Sequence, residues 1–151
     1  MVITTIEVSI YALIRPTERV ENVVYAVERV FPGLIMDIRA DRIEAYDRVD
    51  ALRTFHKLLR EQRILDTARS VMLHGRVGES IQFRLNKQAA FMGRVNFPPE
   101  EEPLGSIHVQ ITGDDRLIDW LAPQTENGVP VKEMSSPEIE TPEVNSPEDD
   151  V

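Results

Sequence analysis

Ile6-Glu7-Val8-Ser9-Ile10-Tyr11-Ala12-Leu13-Ile14, then Arg15-Pro16-Thr17, then Val20, Val23, Val24, Val27, Val30 and Phe31: this opening carries two periods in succession. In the first stretch apolar residues alternate with Glu7, Ser9, Tyr11 and Leu13, the period of two of a strand with one buried face. In the second they recur at three and four, one stripe of a helix. Pro16-Thr17 separates the two, with Thr17 a plausible N-cap, and Pro32-Gly33 stops the helix. A one-sided strand followed by a one-sided helix predicts a layered fold with helices on one face of a sheet.

Further along, Leu34, Met36 and Ile38 alternate and lead through Ala40-Asp41 to Ile43 and Ala45, which predicts a hairpin. Leu52, Phe55, Leu58 and Leu59, continued by Ile64, Leu65, Ala68, Val71 and Met72, predict two linked helices or one bent helix ending at Gly75. Ile81, Phe83 and Leu85 read as a strand, Asn86 to Phe91 as a helical turn, and Gly93 to Phe97 as another strand. Pro98 to Pro103 reads as a loop. Ile107, Val109 and Ile111 form a last strand, and Asp114 or Asp115 caps a helix whose inner face is Leu117, Ile118 and Leu121. The order is about β-α-β-β-α-α-β-β-β-α, an α+β domain over residues 1–123 with a mostly antiparallel or mixed curved sheet.

The 151 residues hold 26 acids, 17 bases and no cysteine, so thiolate sites and disulfides are excluded. No apolar run approaches the ~20 residues of a membrane span. An intracellular, cytoplasmic protein is expected. The net charge of −9 argues at face value against a nucleic-acid partner, but the charge is uneven. Residues 124–151 hold eight acids and one base, with Ser136-Pro137-Glu138, Thr141-Pro142-Glu143 and Ser146-Pro147-Glu148 at a five-residue period. This composition reads as a disordered acidic tail, either solubilising or folded back on a basic surface. Between Arg48 and Arg94, ten bases face four acids. The centre of the chain is basic.

Chemistry-bearing motifs are few. His56, His74 and His108 fall in no ligand spacing, so neither a metal nor another cofactor is expected. Gly113-Asp114-Asp115 reads as a helix cap. There is no phosphate-cradling glycine loop and no nucleophile elbow. No catalytic residue is assigned. Arg53, Lys57 and Arg60 lie four and three residues apart on one helical face, and Arg63 extends the stripe if the helix continues. Such a stripe is either an ordinary solvated face or a track for phosphates. Asn86, Lys87 and Gln88, flanked by Arg84 and Arg94, either contact sugar, phosphate or an unpaired base, or form an Asn-capped turn.

The run from His56 through Leu58-Leu59-Arg60, Gln62-Arg63-Ile64-Leu65-Asp66 and Ala68-Arg69 carries a wider likeness. So do the block Leu85-Asn86-Lys87-Gln88-Ala89-Ala90-Phe91, the turn Pro103-Leu104-Gly105, and Ile118-Asp119-Trp120-Leu121-Ala122-Pro123. Together they resemble an uncharacterised archaeal family of predicted RNA-binding proteins, sometimes predicted to be exosome-associated. The likeness covers nearly all of the body and none of the tail. It implies an α+β fold similar to the ribosomal protein that binds 5S rRNA, and no catalytic residue or cofactor. The expected function is non-enzymatic RNA binding in archaeal RNA or ribosome metabolism, beside RNA-processing or ribosomal proteins, with affinity that falls steeply with salt. The alternative is an assembly module that dimerises through an edge strand or apolar patch without nucleic acid.

Overall fold

Strand β1 (Glu7–Leu13) forms where the alternation predicts it, and its even-numbered residues Val8, Ile10 and Ala12 are buried while Glu7, Ser9 and Tyr11 are exposed. In this computed structural model, which describes residues 6–99 and 105–136, β1 lies inside a six-stranded sheet. The other strands are β2 (Ile35–Ile38), β3 (Arg42–Arg48), β4 (Arg76–Val77), β5 (Ser80–Leu85) and β6 (Ile107–Thr112). Their order is β2-β3-β1-β6-β5-β4, and every neighbouring pair is antiparallel.

One face of this sheet is covered by helices. Helix α1 (Val20–Val30) buries Val23, Ala26, Val27 and Val30. Its N-cap is Arg19 with no side-chain cap bond, so the capping role expected of Thr17 is corrected. A single 3-10 turn, Val49–Leu52, leads into α2 (Arg53–Glu61), which buries Phe55 and Leu59, and α3 (Leu65–His74) buries Leu65, Ala68 and Met72. Two linked helices are therefore present, turned at Arg63 with φ 58°. Phe55 of α2 stacks on Phe83 of β5 at 5.5 Å between ring centroids and meets Phe31 at 5.4 Å, joining helices to sheet. The short α4 (Lys87–Phe91) and α5 (Asp115–Leu121) complete the layer, α5 burying Leu117, Ile118, Trp120 and Leu121. These residues form one continuous core.

Two expectations change. Gly93 to Phe97 is not a strand. Both backbone polar groups of Val95 bond instead to the amide of Gln62: Val95 N–H donates to Oε1 at 2.7 Å and Nε2 donates to the Val95 carbonyl at 2.9 Å. A side chain therefore satisfies what a neighbouring strand would have satisfied. The third strand in this half of the chain is β4, hairpinned onto β5.

The fold also runs on past Pro123. Thr125–Glu126 (β7) and Val129–Pro130 (β8) pair around Asn127 and Gly128, both at positive φ, the backbone of a tight hairpin. Thr125 Oγ1 donates to Asp66 at 2.6 Å, and Ser136 is buried. Within the stretch read as tail, residues 124–136 thus carry a hairpin tied to the helical layer through Thr125 to Asp66 and Glu133 to Arg60. Residues 137–151, and the part of the Pro98 to Pro103 loop from 100 to 103, lie outside the described residues.

Gly75 ends α3 as expected, yet its φ of −88° needs no glycine. The reason for glycine is contact: a Cβ there would collide with the carbonyl oxygen of Gln82 on β5. Gly75→Ala is accordingly expected to cost about 1–3 kcal/mol through overpacking, read as a lower urea midpoint with unchanged m-value. An unchanged midpoint would mean that α3 and β5 separate without cost.

Candidate nucleic-acid interface

The stripe on α2 is present, but it is not a free set of charges. Arg53 Nε donates to Asp50 at 3.0 Å, and Lys57 sits 3.6 Å from Glu61. Arg60 has all five N–H donors engaged. Nε and Nη2 bond the two oxygens of Glu133 at 2.8 and 2.6 Å, Nη1 bonds the carbonyls of His56 and Leu121, and Nη2 also bonds that of Trp120. A guanidinium so saturated ties α2 to α5 and to the segment after β8, with nothing left for a phosphate. Each cation of the stripe thus has its own acid. Arg63 stands apart from them in the turn after α2, exposed.

The basic centre is diluted in the same way. Four of its ten bases pair with acids from outside the window: Arg60 with Glu133, Arg69 with Asp119, Arg76 with Asp115 and Lys87 with Glu18. Lys87 is only 6% exposed, and Nζ donates to the Leu13 carbonyl at 2.5 Å and to Glu18 at 3.0 Å. It locks α4 to the end of β1 and is no surface contact. Asn86 caps α4, its Oδ1 accepting from Ala89 N–H at 2.7 Å, which is the capped-turn alternative. Gln88 and Arg94 are exposed, and Arg84 is half-buried on the sheet with Nη2 donating to the Pro98 carbonyl at 3.4 Å. The nine expected residues therefore do not converge on one surface. Asp114 acts as the cap of α5, accepting from Arg116 N–H at 2.9 Å.

What does converge is the face of the sheet that, among the described residues, no helix covers. Strand register sets its outward residues in ranks. Ile35, Tyr46, Ser9, Gln110 and Gln82 lie across five strands, and Asp37, Glu44, Tyr11, His108 and Arg84 lie across the same five one step along. Arg48, Glu7, Thr112 and Ser80 form a third rank. All of these but Asp37, Thr112 and Ser80 line a shallow trough of about 1020 Å³. Tyr46 is 55% and Tyr11 37% exposed, and the Tyr11 and His108 rings lie 6.0 Å apart. Gln82 Nε2 donates to Gln110 Oε1 at 3.2 Å. Aromatic faces beside amides are the chemistry that takes nucleobases. Apart from Arg84, these positions carry no role in the sequence reading. The signal that could have found them is the aromatic residue at an outward strand position, Tyr11 in the first stretch quoted and Tyr46 in its neighbour.

Comparison with known proteins bears on this surface. A family model described as RNA binding matches residues 7–112, from the start of β1 to the end of β6. A UPF0201 protein of Thermococcus onnurineus is 42% identical over 83% of this chain and 98% of its own length. A UPF0200/UPF0201 protein of Archaeoglobus fulgidus is 41% identical over 85% of this chain, which spans only 41% of that relative. The crystal structure of a UPF0201 protein from Methanococcus jannaschii superposes with a TM-score of 0.77 at 33% identity, covering 83% of this chain and 99% of the other.

On the helical side, His56 stacks on Trp120 at 4.7 Å beside Arg60. Burial first, and the Arg60 charge second, push its imidazole from the ordinary 6.5 down to about 4. A histidine depressed in the fold contributes stability that is complete above pH 6.5 and is lost as pH falls from about 6.5 to about 4. The melting temperature is therefore expected to drop across that window, and His56→Gln is expected to remove most of the slope. Parallel pH curves for the two proteins would contradict this.

Proposed function

Because this chain belongs to the archaeal UPF0201 family, with a match to the RNA-binding family model through the whole sheet, we propose that it binds RNA on the uncovered face of that sheet. The observation that carries this is the cluster of Tyr11, Tyr46 and His108 next to Gln82 and Gln110, projecting from strands that are rigidly paired below. Arg48 and Arg84 flank the trough and supply phosphate contacts. Exposed Arg53, Lys57, Arg63, Gln88 and Arg94 lie off this face and serve at most as accessory contacts to a longer RNA. Under this proposal the protein acts in RNA or ribosome metabolism as a binder and not as a catalyst, alongside RNA-processing or ribosomal proteins in the cytoplasm.

A second occupant has one specific observation in its favour. The open face mixes Arg42, Arg48 and Arg84 with Glu7, Asp37 and Glu44, and it exposes Ile35 and Tyr46, a surface that a second copy of the chain could cover.

Fluorescence anisotropy with labelled RNA fragments separates the surfaces. Tyr11→Ala and Tyr46→Ala are each expected to weaken binding roughly 5- to 100-fold, the worth of one stacked base, while Arg53→Glu with Lys57→Glu stays close to the parent. The reverse ranking would move the interface to α2. If Tyr46→Ala shifts only a monomer–dimer equilibrium in sedimentation, the face is a dimer interface instead.

A further inference from the structure

Resting on the RNA-binding proposal, we infer that this face takes unpaired RNA, held through base faces and edges with few phosphate contacts. Three features of the trough lead there. It has no excess of positive charge. Arg48 and Arg84 stand against Glu7, Glu44 and Asp47, and Glu44 is already held by Arg42 at 3.0 Å. A duplex presents mainly its phosphates and 2′-hydroxyls, with base faces hidden in the stack, so a surface without excess positive charge gives it little purchase.

The rings are the second feature. Tyr46 and Tyr11 occupy adjacent strands in successive ranks, since Tyr46 pairs with Ser9 and Tyr11 with Glu44. That diagonal puts them roughly 7–8 Å apart at the backbone, and His108 continues the line beside Tyr11. Rings exposed along a diagonal can each accept a separate base only if the bases are splayed from one another, as in a loop or a single strand.

The amide pair is the third. The bond from Gln82 to Gln110 uses one NH2 group and one carbonyl, so Gln82 keeps its carbonyl oxygen and Gln110 its NH2. This leaves one acceptor and one donor in the same rank as Tyr46 and Ser9, the two kinds of group that the edge of a nucleobase bonds. The Watson–Crick edge is available only in an unpaired base, and the major-groove edges of an RNA duplex lie in a groove too deep and narrow for side chains to read. The ranks repeat at roughly 6.6–6.8 Å along the strands, so three ranks hold two or three nucleotides.

The test is titration of the full chain with a labelled RNA strand of about 12 nucleotides and with the same strand in a perfect duplex, over roughly 50–400 mM salt. Single-strand binding is expected at least about tenfold tighter than duplex binding, with a log–log salt slope near −1, the value for one or two neutralised phosphates on a single strand at about −0.7 each. Gln110→Ala is expected to keep the slope and to reduce the differences in affinity among homopolymers. Duplex binding as tight as single-strand binding, or a slope steeper than about −3, overturns the inference while leaving RNA binding in place. Binding of neither RNA, by a protein whose circular dichroism melt is normal, removes the RNA-binding proposal itself.

Discussion

Strand β1 is hydrogen-bonded on both sides, to β3 and to β6, and this single fact constrains the rest of the molecule. A one-residue slip of this interior strand would turn every side chain to the opposite face. Val8, Ile10 and Ala12 therefore fix which side the helices cover, and Glu7, Ser9 and Tyr11 fix what the uncovered side presents. The same register aligns Tyr46, Gln110, His108, Gln82 and Arg84 into ranks on the open face. A rigid sheet is a precise platform for side chains, because each is placed by paired backbone on either side rather than by a loop.

The helical layer shows the opposite economy of charge. Its cations are spent inward: Arg60 on Glu133 and three carbonyls, Arg69 on Asp119 and the Ala122 carbonyl, and Lys87 on Glu18 and the Leu13 carbonyl. These bonds staple α2, α3 and α4 to distant parts of the chain. Arginine suits this work because its planar fork serves several acceptors at once. The outward face of α2 is left with locally paired charge, on the side of the molecule away from the open sheet face.

Most of the fold is legible in the sequence because burial is periodic. The alternation of β1, the stripe of α1, the β2–β3 hairpin and the cap of α5 by Asp114 all follow from local spacing. What escapes is set by partners far away in the chain. Gln62 and Val95 are 33 residues apart, and nothing local to Gly93 to Phe97 reveals that its hydrogen bonds go to a side chain. Arg60 and Glu133 are 73 apart, so a count of charges by window misses that four of the ten central bases pair with acids outside it. Asn127-Gly128 is a hairpin signal in its own right, but it lies inside an acidic stretch whose composition reads as unstructured. The candidate site is half legible: its residues stand on strands that the sequence locates, while their convergence depends on a strand order that it does not give.

The central claim is that the uncovered sheet face, and not the cationic helix, meets RNA. Backbone amide chemical shifts recorded while unpaired RNA is titrated into the protein test it most directly. Perturbations gathered at Ser9, Tyr11, Tyr46, Gln82, His108 and Gln110, with α2 quiet, are the expected result. Perturbations gathered at Arg53, Lys57 and Arg63, with the sheet quiet, would contradict it.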